Sequence, residues 1–260
     1  MTNIALLGDI YSSNNINKEM SVEVKNITPR QVVRNLDKIR IAHTIQPIIC
    51  ANSSYAYGFE AFSQLFINNF KLQIGIEDVL TSNLSDDELL SLDRKLMRSA
   101  LKIQSAKIKG YRFINISSEA HFVSLDPDEI LSQSSQVVLE LTEHFPISNW
   151  DQVWHQVEVM KSKGIRIAID DFGSGHGNYQ MLFELSPHYV KLDKFFIKHA
   201  IPERASRNID MLKSLVDTIH HAGAKVICEG VETEEHLDFF LSADVDYCQG
   251  YYFGKPVAVG

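Results

Sequence analysis

No apolar run in this sequence approaches the ~18 residues of a membrane-crossing helix, so no membrane association is expected. Cysteine is scarce: Cys50, Cys228 and Cys248 cannot all pair, and none sits in a CxxC spacing. That excludes a disulfide scaffold and points to a reduced, cytoplasmic protein. The ten histidines form no HExxH element and no paired Cys/His spacing, which removes the usual zinc signatures. Positive charge is short as well. With 25 Lys and Arg against 33 Asp and Glu the chain carries a net −8, and such a surface repels a nucleic acid polymer. The N-terminus lacks a basic segment ahead of its short apolar run at 4–7, so a signal peptide is not expected.

What remains is an ordinary globular composition, 45% hydrophobic and 22% charged, in 260 residues, a length suited to one α/β barrel of ~250 residues. Residues 1–34 are rich in Asn, Ser and Lys and read as an N-terminal extension or partner-binding arm; the barrel domain is expected over 35–260. There, β-rich runs at 45–51, 57–62, 111–117, 136–141, 165–170, 189–193, 224–229 and 247–253 alternate with helix-like stretches. The stretches 150–163 and 209–221 each end at a glycine, Gly164 and Gly223, placed to stop a helix. Trp150, Trp154 and Val157 share helical spacing and are expected in the core. Eight strands with intervening helices predict a closed (β/α)8 barrel, with an open doubly wound sheet as the runner-up. The run Gly173-Ser174-Gly175-His176-Gly177 is followed by Asn178, so it is not a dinucleotide-binding GxGxxG loop.

Acidic and amide residues recur at the strand ends: Glu60, Asn115, Glu140, Asp170 with Asp171, Asp193, Glu229 and Gln249, beside a lone Lys191. In a parallel barrel these ends form one rim, where barrel enzymes carry out their chemistry. So many carboxylates around one lysine call for added positive charge, and hard oxygen donors favour Mg2+ or Mn2+, with Ca2+ as a competitor. Adjacent side chains on a strand point oppositely, so Asp170 and Asp171 can face one way only if the strand ends between them.

These residues lie within segments that carry a family likeness. Glu60-Ala61-Phe62, Asn115-Ile116-Ser117, Glu140-Leu141-Thr142-Glu143, Asp170-Asp171-Phe172-Gly173, Lys191-Leu192-Asp193, Glu229-Gly230-Val231-Glu232 and Gln249-Gly250-Tyr251 occur in that order, after Gln46-Pro47-Ile48. Together they resemble the EAL-domain family of bacterial cyclic di-GMP phosphodiesterases. The resemblance implies a modified TIM barrel with its first strand antiparallel, and hydrolysis of cyclic di-GMP to linear pGpG. It implies that Glu60, Asn115, Glu140 and Asp170 hold one metal ion, and Asp170, Asp171 and Glu229 a second, with Mg2+ or Mn2+ active and Ca2+ inhibitory. On the same likeness Asp170 and Glu229 join Lys191 in the catalytic group, Lys191 orienting or deprotonating the attacking water. Asp193 would reach a metal through a water, Gln249 would contact water or phosphate, and Gln46 would lie beside a guanine. Glu143 and Glu232 would support the rim loops. A homodimer, and a protein partner docked on residues 1–34, complete the expected partners.

Three departures from the family pattern matter, one of them a short Asn115 to Glu140 interval with a changed segment at 72–83; the other two bear on activity. The family's arginine two residues after the signature is Gln64 here, and the loop after the aspartates reads Ser174-Gly175-His176-Gly177-Asn178. A neutral amide cannot make a bidentate charge-assisted contact to phosphate. The alternative to an active enzyme is therefore a weak or inactive barrel acting as a cyclic di-GMP receptor or protein-interaction regulator. A metal enzyme acting on another phosphodiester is a third class.

Overall fold

The computed structural model describes residues 27–53, 55–67, 70–103, 109–142, 147–174, 179–199 and 205–259. Its strands are β1 (Ile39–Cys50), β2 (Ala56–Ile67), β3 (Phe70–Lys71), β4 (Tyr111–Ile116), β5 (Val137–Thr142), β6 (Arg166–Phe172), β7 (Tyr189–Leu192), β8 (Lys225–Cys228), β9 (Tyr247–Gln249) and β10 (Val257–Val259). Strands β2, β4, β5, β6, β7, β8 and β9 pair in that order, all parallel. Strand β1 runs antiparallel to both β9 and β2 and closes the ring. The result is a closed eight-stranded barrel, and the open sheet is excluded.

Helices cover the outside, and the sequence writes their limits. The helix Asp86–Leu101 starts at a reciprocal cap between Ser85 and Glu88, and Trp150–Ser162 starts at the side chain of Asn149. Gly164 and Gly223 follow their helices at φ of 85° and 86°, a backbone that suits glycine. The stripe Val153, Gln156, Val157 and Met160 faces the barrel. Trp154 is turned away from that stripe and is 49% exposed, which corrects its expected core position. The helix Pro29–Arg34, within the stretch read as an arm, buries Val32 against Leu65, Leu72 and Leu92. Residues 1–26 lie outside the described residues.

Inside the barrel, side chains stack in layers. Ile48, Phe113, Val138, Ala168, Tyr189 and Ile227 form a closed apolar layer. At the end where the parallel strands begin, Arg166 stands 4.1 Å over the ring of Tyr111 and donates to the hydroxyls of Tyr57 and Tyr189. The opposite mouth is polar, and period-two alternation makes it so. Two residues beyond the apolar layer come Asn115, Glu140, Asp170, Lys191 and Glu229; on antiparallel β1, two residues before it comes Gln46.

Candidate metal and catalytic site

Lys191 is fully buried at the centre of this polar layer. Its Nζ lies 2.9 Å from Glu60 Oε2, Glu140 Oε1 and Asp170 Oδ1, and 2.7 Å from Glu229 Oε1. Neighbouring amides fix Glu60 from both sides. Asn115 donates to its Oε1 at 3.1 Å and Gln249 to its Oε2 at 2.8 Å. Gln249 also donates to Gln46 Oε1 at 3.2 Å, and Gln46 donates to the carbonyl of Gly254 at 2.9 Å. Both glutamines are buried, so in this structure they brace Glu60 and the loop after β9.

Asp170 and Asp171 show how one strand delivers two adjacent carboxylates. Strand β6 does not end between them. Asp171 adopts φ 56° instead, and the pairing with β7 slips between Ile169 and Phe172. A left-handed aspartate at a bulge re-aims its own side chain, and the Asp171 amide donates to Asp170 Oδ1 at 3.0 Å. The expected strand end is thus replaced by a bulge.

Two overlapping sets of ligand atoms follow. Glu60, Glu140 and Asp170 form one; Asp170, Asp171 and Glu229 form the other, with the atoms of each set within 4.8 Å of one another. The donors suit a hard divalent cation. Glu140 supplies an independent sign: its carboxylate is fully buried, with Oε1 against the Lys191 ammonium at 2.9 Å and Oε2 without a partner. A buried carboxylate oxygen left in this way is costly unless a cation takes it up. Together with Asp171, the four carboxylates around Lys191 leave four uncompensated negative charges when all are ionised, the charge of two divalent ions.

Protonation reflects the same crowding. Burial, helped by Glu60 and Asp170 and opposed by Lys191, holds Glu140 well above the usual carboxylate range. Burial pushes Glu229 up to about 8 against the pull of Lys191, with Asp170 and Glu60 adding to the rise. Burial and then Asp170 lift Asp171 to about 6. Burial alone would lower Lys191, but Asp170, Glu140, Glu229 and Glu60 outweigh it and hold the ammonium well above its ordinary value.

The other expected site residues do not ion-pair with Lys191, although Asp193 lies near enough to Asp171 to add to its raised pKa. Asp193 is half-buried past the end of β7, where its Oδ1 accepts the Phe195 amide at 2.7 Å and caps the turn Lys194–His199. Glu232 is exposed in the loop between β8 and the helix Glu234–Leu241. Glu143 and the loop 175–178 lie outside the described residues. Sequence reading also missed a residue. Asp93 is fully buried in the apolar stripe of the helix Asp86–Leu101. Its Oδ2 accepts the amides of Ser117 and Ser118 at 3.0 Å each and meets His121 Nδ1 at 3.0 Å. It thereby pins the chain just after Asn115. A carboxylate between Leu92 and Leu96 on an apolar face was the signal for it.

The sequence model of the EAL domain matches residues 30–256. This chain belongs to the EAL domain family. It is 25% identical over 246 residues to "Cyclic di-GMP phosphodiesterase PdeL" of Escherichia coli (strain K12), covering 89% of this chain and 66% of that protein. It is 32% identical over 176 residues to "Probable cyclic di-GMP phosphodiesterase PdeG" of the same organism, covering 64% of this chain and 34% of that protein. The chain thus spans about a third to two thirds of these relatives. Among solved structures, the Bacillus subtilis YkuI protein, in complex with substrate c-di-GMP and calcium, superposes with a TM-score of 0.72 at 22% identity, covering 90% of this chain and 60% of that one. The EAL barrel of this chain therefore has its counterpart in a structure that carries both a divalent ion and the cyclic dinucleotide.

Proposed function

We propose that this EAL barrel hydrolyses cyclic di-GMP to linear pGpG with the help of two divalent cations, Mg2+ or Mn2+. The observation that carries the reading is the buried cage of Glu60, Glu140, Asp170 and Glu229 around Lys191, with Glu140 Oε2 left unpaired. Glu60, Asn115, Glu140 and Asp170 would hold one cation, and Asp170, Asp171 and Glu229 the other. When bound, such a pair of ions lowers the pKa of an attacking water and neutralises charge building on the phosphate.

The chain's own groups do the rest. Lys191 hydrogen-bonds the attacking water and holds a proton at Nζ as long as the surrounding carboxylates stay uncompensated. Neutralising them removes what keeps its pKa high and prepares it to accept the water's proton. The water oxygen joins phosphorus, one P–O3′ bond breaks, and the freed 3′ oxygen takes a proton. Gln249 and Asn115 keep Glu60 fixed throughout, which preserves the cage geometry at no cost in reorganisation during the reaction.

Incubating the purified protein with cyclic di-GMP and Mn2+, with pGpG followed by chromatography, tests the proposal. No product at high protein concentration, with bound metal confirmed, overturns it. Gln64 favours a second reading, a receptor that binds without cleaving. Calorimetry in Ca2+ that shows binding, alongside no pGpG in Mn2+, selects that reading.

A further inference from the structure

Strands β1 and β2 are each 12 residues long and outrun the barrel, continuing past its polar mouth as a paired wall. One face of the wall is packed: Ile39, Ile41, Leu65 and Ile67 lie in a core with Val79, Leu92 and Leu96. Alternation puts the remaining residues on the other face, the one that carries Glu60. Reading outward from the carboxylates, its cross-strand pairs are Gln46 with Glu60, Thr44 with Phe62, Ala42 with Gln64 and Arg40 with Phe66. The outermost pair is organised. Arg40 is exposed and its guanidinium lies 4.3 Å from the centre of the Phe66 ring, a cation–π arrangement that pre-orients the side chain. On the next rung inward the small Ala42 stands opposite the half-buried Gln64 and leaves space beside that pair.

We propose that Arg40 and Phe66 form the outer contact for the non-reacting guanine of a bound cyclic dinucleotide, and so contribute to base specificity. The inference rests on the proposed function and adds a contact to it. Six residues at ~3.3 Å each place the Phe66 rung about 20 Å along the strand from Glu60, too far to serve the phosphodiester under attack. A base projecting from the ring of the substrate does extend outward. Guanine offers two acceptors, O6 and N7, on one edge, which a guanidinium meets with two parallel donors, while adenine presents a donor in place of O6. An aromatic ring supplies the stacking surface beside it. Arg40 thus provides positive charge on the same wall where position 64 is neutral.

The test is calorimetry of cyclic di-GMP binding in saturating Ca2+ to the full chain and to its Arg40→Met and Phe66→Leu variants, with Ca2+ binding alone as the control. The exposed position of Arg40 and its distance from the cage leave Ca2+ binding unchanged in Arg40→Met. Its affinity for cyclic di-GMP should fall about tenfold, the effect of losing one good bidentate base contact, and its preference over cyclic di-AMP should narrow. Phe66→Leu should weaken both nucleotides. Unchanged cyclic di-GMP affinity in Arg40→Met, with the wild type binding, overturns the inference and leaves the proposed function standing. No binding by the wild type overturns both.

Discussion

Replacing Lys191 with methionine isolates the charge at the centre of the cage. Methionine keeps the unbranched length and adapts to its surroundings, so the change removes the ammonium and little else. What it leaves is Glu60, Glu140, Asp170 and Glu229 facing one another without the cation that touches all four. Removing one partner of a buried ion pair costs about 3–5 kcal/mol, and at about 2–4 °C per kcal/mol in proteins of comparable size the melting temperature should drop by about 6–20 °C. The effect depends on pH in a definite direction. The folded-state pKa of Lys191 lies above its ordinary value, so its stabilisation is complete throughout the neutral range. The carboxyls are raised, Glu229 to about 8 with Lys191 present, and losing the lysine raises them further. A raised carboxyl binds more protons folded than unfolded, so the variant loses stability as pH climbs from about 5 to 8. Thermal melts in EDTA at pH 6 and pH 8 read this out, with the larger gap between variant and wild type at pH 8. Saturating Mn2+ should narrow the gap by supplying replacement charge. Equal melting temperatures in EDTA at pH 8 would refute the account of Lys191 as the cage's structural cation.

Further expectations follow from the same geometry. Because Asp171 and Glu229 titrate near 6 and 8 in the metal-free cage, Mn2+ must displace their protons, and its affinity by calorimetry should rise steadily from pH 6 to 8; a flat profile would remove these two as ligands. Asp93→Ala takes the acceptor from the buried Ser118 amide, worth about 1–3 kcal/mol when left unsatisfied, and from the half-buried Ser117 amide, and should loosen the segment after Asn115, seen as faster hydrogen exchange at Ser117 and Ser118 together with weaker Mn2+ binding. Gly58→Ala should destabilise the barrel strongly, because a Cβ there would overlap the carbonyl oxygen of Tyr111 on the neighbouring strand; an unchanged melting temperature would show that the β2–β4 seam can yield.

The sequence made the rim legible for a physical reason. Carboxylates in apolar strands are too costly to be incidental, and the closed ring brings Glu60, Glu140, Asp170 and Glu229 onto one lysine. Direction was less accessible: Ile45 to Cys50 reads as a strand whichever way it runs, and only the family likeness implied the antiparallel entry that the pairing shows. The bulge at Asp171 was hidden because a period of two has no symbol for one residue with positive φ. Strands β3 and β10, of 2 and 3 residues, are too short to carry a pattern. Trp154 illustrates a different limit. Hydrophobic spacing locates a stripe only to within a residue's width, and a large ring at its margin can fall on either side.

An ordinary (β/α)8 barrel begins its first strand at the end away from its chemistry, so whatever precedes that strand is attached to the stable floor. Here β1 descends instead of rising. Its first residue, Ile39, sits beyond the polar mouth, opposite Ile67 at the far end of β2, and Cys50 sits beside Tyr247 at the floor. The polypeptide before Ile39 is thereby wired to the working end of the barrel. The helix Pro29–Arg34 already leans on the core behind the wall that Arg40 and Gln64 share. A pull, a twist or a partner acting on the upstream chain would be transmitted first to that wall and then to Gln46 and Glu60, with no need to cross the barrel.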